Sequence, residues 1–149
     1  MLTDESNIAN QKLSALRDLW DRKRGERSMP CRADLTVADL RPWLGNLALI
    51  DVNAGGETFR LCGTNLFGRF GGDITGKRLG DLRHSGVGAL RDCIAQVVKT
   101  NCVSSTSNTQ IINGEETSFD ELALPLSNDG GEMSVVLVAS YPAKTKPAW

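Results

Sequence analysis

A chain of 149 residues is long enough for one well-buried core and short for two, and its 40% hydrophobic and 23% charged residues lie far from the composition of a disordered protein. Lysine plus arginine number 17 against 18 aspartates and glutamates, a net charge of -1, so no global field draws the chain to nucleic acid or to an anionic membrane. The longest apolar runs, Leu47–Ile50 and Val135–Ala139, fall far short of the roughly 18 residues of a spanning helix, and the acidic, polar start has no secretory pattern; both lead to the expectation of a cytoplasmic protein.

In chain order, Ile8, Leu13, Leu16 and Trp20 lie near helical spacing among Lys12, Arg17, Asp18 and Asp21, which predicts an amphipathic helix. Gly25 and Met29-Pro30 end it, because proline lacks an amide and disfavours helix in its predecessor. Thr36 with Asp39 three residues on, flanked by Leu35 and Leu40, predicts a second helix start that Pro42 keeps short. Leu47 to Val52, the turn Asn53-Ala54-Gly55-Gly56, and Thr58 to Gly63 read as a β-hairpin. Five glycines, at 68, 71, 72, 76 and 80, break the next stretch into short helical turns.

Val87, Leu90, Ile94, Val97 and Val98 then recur with helical period and predict a helix from about Ser85 to Lys99. Val103 to Gln110, rich in Ser, Thr and Asn, reads as an edge strand, and Asn113-Gly114 as a turn. Leu122, Leu124 and Leu126 alternate with Ala123 and Pro125. After Asn128-Asp129-Gly130-Gly131, Met133 to Tyr141 is apolar on both faces and so predicts a central strand covered on both sides. The expected fold class is α+β: a five-stranded antiparallel sheet flanked by short helices, one longer helix and an amphipathic N-terminal helix.

Three segments carry a resemblance. Phe59-Arg60-Leu61-Cys62-Gly63-Thr64 and then Gly71-Gly72-Asp73-Ile74-Thr75-Gly76-Lys77-Arg78-Leu79 are similar to the second strand and glycine-bounded turn of PAS sensor domains. Leu124-Pro125-Leu126-Ser127-Asn128-Asp129-Gly130 is similar to the hairpin before their last strand. More narrowly, Trp20, Met29-Pro30, Arg32, Asp34, Leu40, Leu44, Arg60-Leu61, Gly63-Thr64 and Thr75-Gly76 resemble the PAS_5 family of small bacterial single-domain PAS proteins, over Trp20 to about Tyr141. Thr36-Val37 stands where that family carries Asp-Pro. The resemblance implies five antiparallel strands curled around the helices, with an interior that in many members holds a small ligand. It divides the chain into an N-terminal helix and connector at 1–30, a PAS-like domain at 31–142 and a tail at 143–149.

The candidate chemistry is sparse. Cys31, Cys62, Cys93 and Cys102 form no C-x-x-C pair and His84 is the one imidazole, so no metal site is expected, and Cys62 and Cys93 read as core thiols. His84 lies near where haem-binding PAS proteins carry an axial histidine, but no second haem feature accompanies it, and a helix-start or surface residue is the expected reading. A flavin-cysteine adduct is excluded, since Asn65 is followed by Leu66 and a leucine has no thiol. No acid, base and nucleophile converge in the sequence, so no catalysis is expected. An interior ligand site would be lined by Leu47, Leu49, Leu61, Phe67, Phe70, Leu90, Ile94, Val97, Leu124, Val136 and Val138, with Arg60 at its mouth. The same residues make an ordinary filled core, which is the default.

Charge is uneven. Arg17, Arg22, Lys23, Arg24, Arg27 and Arg32 crowd the first helix and its connector, while Glu115, Glu116, Asp120, Glu121, Asp129 and Glu132 crowd the late hairpins. The asymmetry either orients a partner or complements the helix dipole and keeps the sheet edge soluble. The Leu13, Leu16 and Trp20 stripe needs cover, and a homodimer through it is expected. The functional expectation is a sensory or regulatory module acting through a signalling partner and binding a small, mostly apolar ligand; the alternative is a ligand-free interaction and dimerisation module.

Overall fold

The computed structural model describes residues 5–53, 55–82, 87–128 and 131–143. Helix α1, Glu5–Arg24, ends where Gly25 takes a left-handed φ of +59°, with Arg22, Lys23 and Arg24 in its last turn against the negative end of the helix dipole. The connector then runs beside the sheet: Ser127 donates its amide to the Pro30 carbonyl at 3.1 Å and Cys31 bridges Ser127. At α2, Val37–Leu40, the Asp39 amide donates to Thr36 Oγ1 at 3.1 Å and the Thr36 amide to the Asp39 carboxylate at 3.2 Å. Leu35 and Leu40 join one apolar cluster at the flanks of this capping box. Pro42 sits in the first turn of the 3-10 segment Arg41–Asn46 that follows.

Five antiparallel strands form one sheet in the order β2-β1-β5-β4-β3, with β1 Leu47–Asn53, β2 Gly56–Cys62, β3 Ser104–Ile112, β4 Glu115–Ser127 and β5 Met133–Ala143. The strand apolar on both faces, β5, is central, and the Ser/Thr-rich β3 lies at the edge. Asn113 and Gly114 join β3 to β4 with φ of +51° and +80°, the pair of left-handed residues that a tight hairpin turn requires. Pro125 is tolerated in β4 because pairing with β3 stops at Ser104 opposite Ala123. Its carbonyl instead accepts from the Trp20 indole at 2.9 Å. Gly63 lets two backbone segments touch: a Cβ there would lie 2.4 Å from the Gly45 carbonyl oxygen.

Alternation splits the sheet's side chains between two cores. The inner face (Ala48, Ile50, Phe59, Ala123, Val136, Val138) is covered by helix α4, Val87–Thr100, through Val87, Leu90, Ile94 and Val97, and by α3, Phe67–Phe70, with the turns that follow it. Cys62 and Cys93 are buried here, as the sequence predicts, and burial pushes both thiols up. The outer face (Leu47, Leu49, Leu122, Leu124, Leu126, Val135, Leu137) is covered by α1 and by residues of the 29–44 segment.

One expectation is corrected by this arrangement. Leu16 is 0% and Trp20 4% exposed against the chain's own sheet, with Leu13 packed half-buried beside them. The stripe of Leu13, Leu16 and Trp20 is therefore covered largely within one chain, because the bare outer face of β4 and β5 offers the same apolar cover at no cost in association entropy.

Candidate functional site

The predicted ligand-lining residues do not come together. Phe67, Phe70, Leu90, Ile94, Val97, Val136 and Val138 belong to the inner cluster, whereas Leu47, Leu49 and Leu124 face outward. Leu61 is 44% exposed on the outer side, and Arg60 points to solvent, where it pairs with Asp51 at 3.0 Å. The physical reason is the period of two along a strand: Leu47 pairs with Ala139 and Leu49 with Leu137, which fixes Val136 and Val138 on the opposite face. A bulge between Leu49 and Ile50 adds a residue to β2, and Arg60 is turned out with it. His84 lies outside the described residues, so the haem reading is not placed.

The inner face holds a polar network that the sequence reading missed. Arg69 of α3 is 3% exposed and reaches between the strands. Its guanidinium donates to both carboxylate oxygens of Glu121, to Gln110 Oε1 at 2.9 Å and to Ser140 Oγ at 2.8 Å, while Gln110 returns a bond to the Arg69 carbonyl at 2.7 Å. Asn108 donates to Glu121, and the Phe119 ring lies 4.6 Å from the guanidinium carbon. Burial pulls Arg69 down to about 10, so it stays charged at neutral pH opposite its carboxylate. The signal was present: Glu121 stands in register with Phe119 and Ala123, an acid on an inward face. Gly71, left-handed at φ +77°, ends α3 directly after Phe70 and sets its short length.

The outer face carries an apolar groove of about 520 Å³. Its floor is Leu47, Leu49, Leu61, Leu126 and Leu137 from four strands, and its wall is Leu35, Val37, Leu40 and Leu44 from the segment 32–46, here called the strap. Val37 is 68% exposed at the mouth, a β-branched residue standing apolar in water. Arg32, Ala33, Thr36 and Asn128 complete the lining. Three of the residues expected inside the sheet, Leu47, Leu49 and Leu61, thus line a groove on its outside.

The strap is tied to α1 along its length. The Trp43 indole donates to the Lys12 carbonyl at 2.8 Å and Lys12 Nζ to the Pro42 carbonyl at 3.2 Å. Lys23 pairs with Asp39 at 3.4 Å, and Arg27, just past the helix, with Asp34 at 2.9 Å. Amides at Cys31 and Thr36 hold the Asp34 and Asp39 carboxyls below their ordinary value, with Arg27 and Lys23 adding to the effect. Most of the basic run is accounted for in this way: Arg17 and Arg24 share Asp21, and Lys23 and Arg27 hold the strap.

A sheet of this strand order, with one long helix on its inner face and an N-terminal helix on its outer face, defines a PAS-type α+β domain. The family model described as PAS domain, PAS_5, matches residues 8–139, and the chain belongs to that family. A light-oxygen-voltage domain studied with a flavin analogue is 10% identical over 72% of this chain and 84% of its own, with a TM-score of 0.57. The light-state domain of the blue-light photoreceptor Aureochrome1 is 14% identical over 75% of this chain and 89% of its own, with a TM-score of 0.52. An RNA-binding light-oxygen-voltage receptor is 14% identical over 75% of this chain and 34% of its own, with a TM-score of 0.51. No curated protein sequence matches. The predicted fold and family are therefore both found. Among the described residues no helix is long and apolar enough to cross a membrane.

Proposed function

We propose that the chain is a cytoplasmic, non-catalytic PAS regulatory module that takes up a small, mostly apolar molecule in the outer groove and passes its presence to a protein partner through the strap and α1. The observation that carries this reading is the groove itself: about 520 Å³, within the range of small-molecule sites, with a wall fastened to the helix whose polar face lies open to a partner. Asn10, Gln11, Ser14 and Arg22 are exposed on that face. The lining supports a binding rather than a chemical role, since it offers one hydroxyl, Thr36, already engaged as a helix cap, and no thiol, imidazole or carboxylate.

The flavin of the light-oxygen-voltage relative does not fit the residues present. Leu66, which follows Asn65, is buried in the inner cluster with no sulfur to form an adduct, and Arg69 with its partners fills the inner side of β3, β4 and β5. The signal in this reading is a shift of population between two placements of the strap, bounded by the ligand's differential affinity for them.

The test is native mass spectrometry and thermal unfolding of the purified chain with linear alcohols from hexanol to octanol. A bound mass and a raised Tm, both lost in Leu61→Glu at the solvent-facing end of the groove floor, are expected. Bare polypeptide with no shift across the series would leave the ligand-free interaction module in its place.

A further inference from the structure

The cations of the segment 17–32 are not equivalent. Arg17, Lys23, Arg24 and Arg27 are ion-paired, and among the described residues Arg22 and Arg32 make no side-chain hydrogen bond or ion pair. Of these two, Arg32 alone lines the groove, where it is the single charged residue among leucines. Asp34, two residues on, does not neutralise it, being held by Arg27 and by the Cys31 amide at 2.8 Å. The geometry is thus an apolar trough with one guanidinium fork at its rim that has no partner among the described residues.

We propose that the ligand of this groove is an aliphatic monocarboxylate, its chain lying along Leu47, Leu49, Leu61 and Leu137 and its carboxylate accepting from the Arg32 guanidinium. The proposal rests on the regulatory reading of the groove given above and adds the chemical class of the ligand. Apolar burial sets the affinity and the arginine sets the head group: a cation at the rim favours a carboxylate over an alcohol or an alkylammonium of equal length.

Titration of the full chain with hexanoate, heptanoate and octanoate, followed by calorimetry and by amide chemical shifts, tests this against 1-octanol and octylammonium. Each added methylene is expected to tighten binding by up to about fourfold, the limit for complete burial. Arg32→Gln should weaken octanoate about fivefold, the upper range for an exposed ion pair, and leave 1-octanol unchanged, while Arg22→Gln changes neither. Raising salt should reproduce part of the Arg32→Gln loss for octanoate alone. If octanol binds but Arg32→Gln leaves octanoate unaffected, the head-group assignment is wrong and the groove reading stands. If neither ligand perturbs the amides of 32–49, both fall.

Discussion

The two faces of this sheet are built from the same strands and solve opposite problems. On the inner face the large side chains of Phe59, Leu90, Ile94 and Val97 are at most 1% exposed, and the charged Arg69 is satisfied by Glu121, Gln110 and Ser140. On the outer face α1 covers β4 and β5, but a groove opens between the strap and β1 and β2 and leaves Leu61 and Val37 in water. A closed face resists change because any rearrangement strands a buried charge, whereas an open groove gains by being filled. The place to look for a signal is therefore the side of the sheet opposite the one that the lining prediction favoured.

The largest effect expected from breaking this contrast is at the buried pair. Glu121→Leu leaves Arg69 charged and unmatched in the core and should cost about 3–5 kcal/mol in urea unfolding, whereas Arg69→Met with Glu121→Leu should recover much of that loss, since an apolar pair needs no desolvated charge. Next, Ile94→Ala on the inner face should cost about 2–5 kcal/mol, while Leu61→Ala, 44% exposed on the groove floor, should change stability by no more than about 0.5 kcal/mol. Equal losses at the two sites would erase the distinction between the faces. Trp43→Phe removes the indole bond from strap to α1 and should cost about 1 kcal/mol, with faster amide exchange across 36–46 and none of it in α4.

Acid and base sharpen the comparison further. Tyr141, the single tyrosine, is pushed up to about 12 by burial on the outer face. Its contribution to stability is complete below its ordinary value near 10 and is lost as pH rises from there towards 12, which absorbance of the phenolate checks. At the other end Asp34 and Asp39 are held below 3.8, so their hold on the strap is complete above that value and is lost as pH falls through their depressed native values. Exchange of the Cys31 and Thr36 amides below about pH 4 should rise while the amides of α4 stay protected, the smallest of these effects because both carboxylates are solvent-facing.

Local physics made much of the fold legible. Thr36, Asp39, Leu35 and Leu40 announced a helix start through short-range capping alone, and the two apolar faces of Met133–Tyr141 announced a central strand. The family followed from residues of the first helix, the connector, the second strand and the glycine-bounded turns taken in order. The site was less legible because it depends on which strand residues share a face. Alternation gives two parities for each strand, and only pairing selects between them, so Leu47 and Leu49 were grouped with Val136 and Val138 that lie behind them. Arg69, in a glycine-rich stretch, carries no local sign of burial, since its partners come from β3, β4 and β5, 39 to 71 residues away. Long-range partners of that kind are set by the closed sheet and leave only a faint trace in sequence.

The most direct test of the link from groove to helix is amide hydrogen exchange of the full chain with and without saturating 1-octanol. Occupancy should slow exchange in residues 32–46 and in the last turns of α1 around Lys23, with α4 unchanged. Protection confined to the groove floor, with α1 exchanging at its free rate, would contradict the coupling on which this account depends.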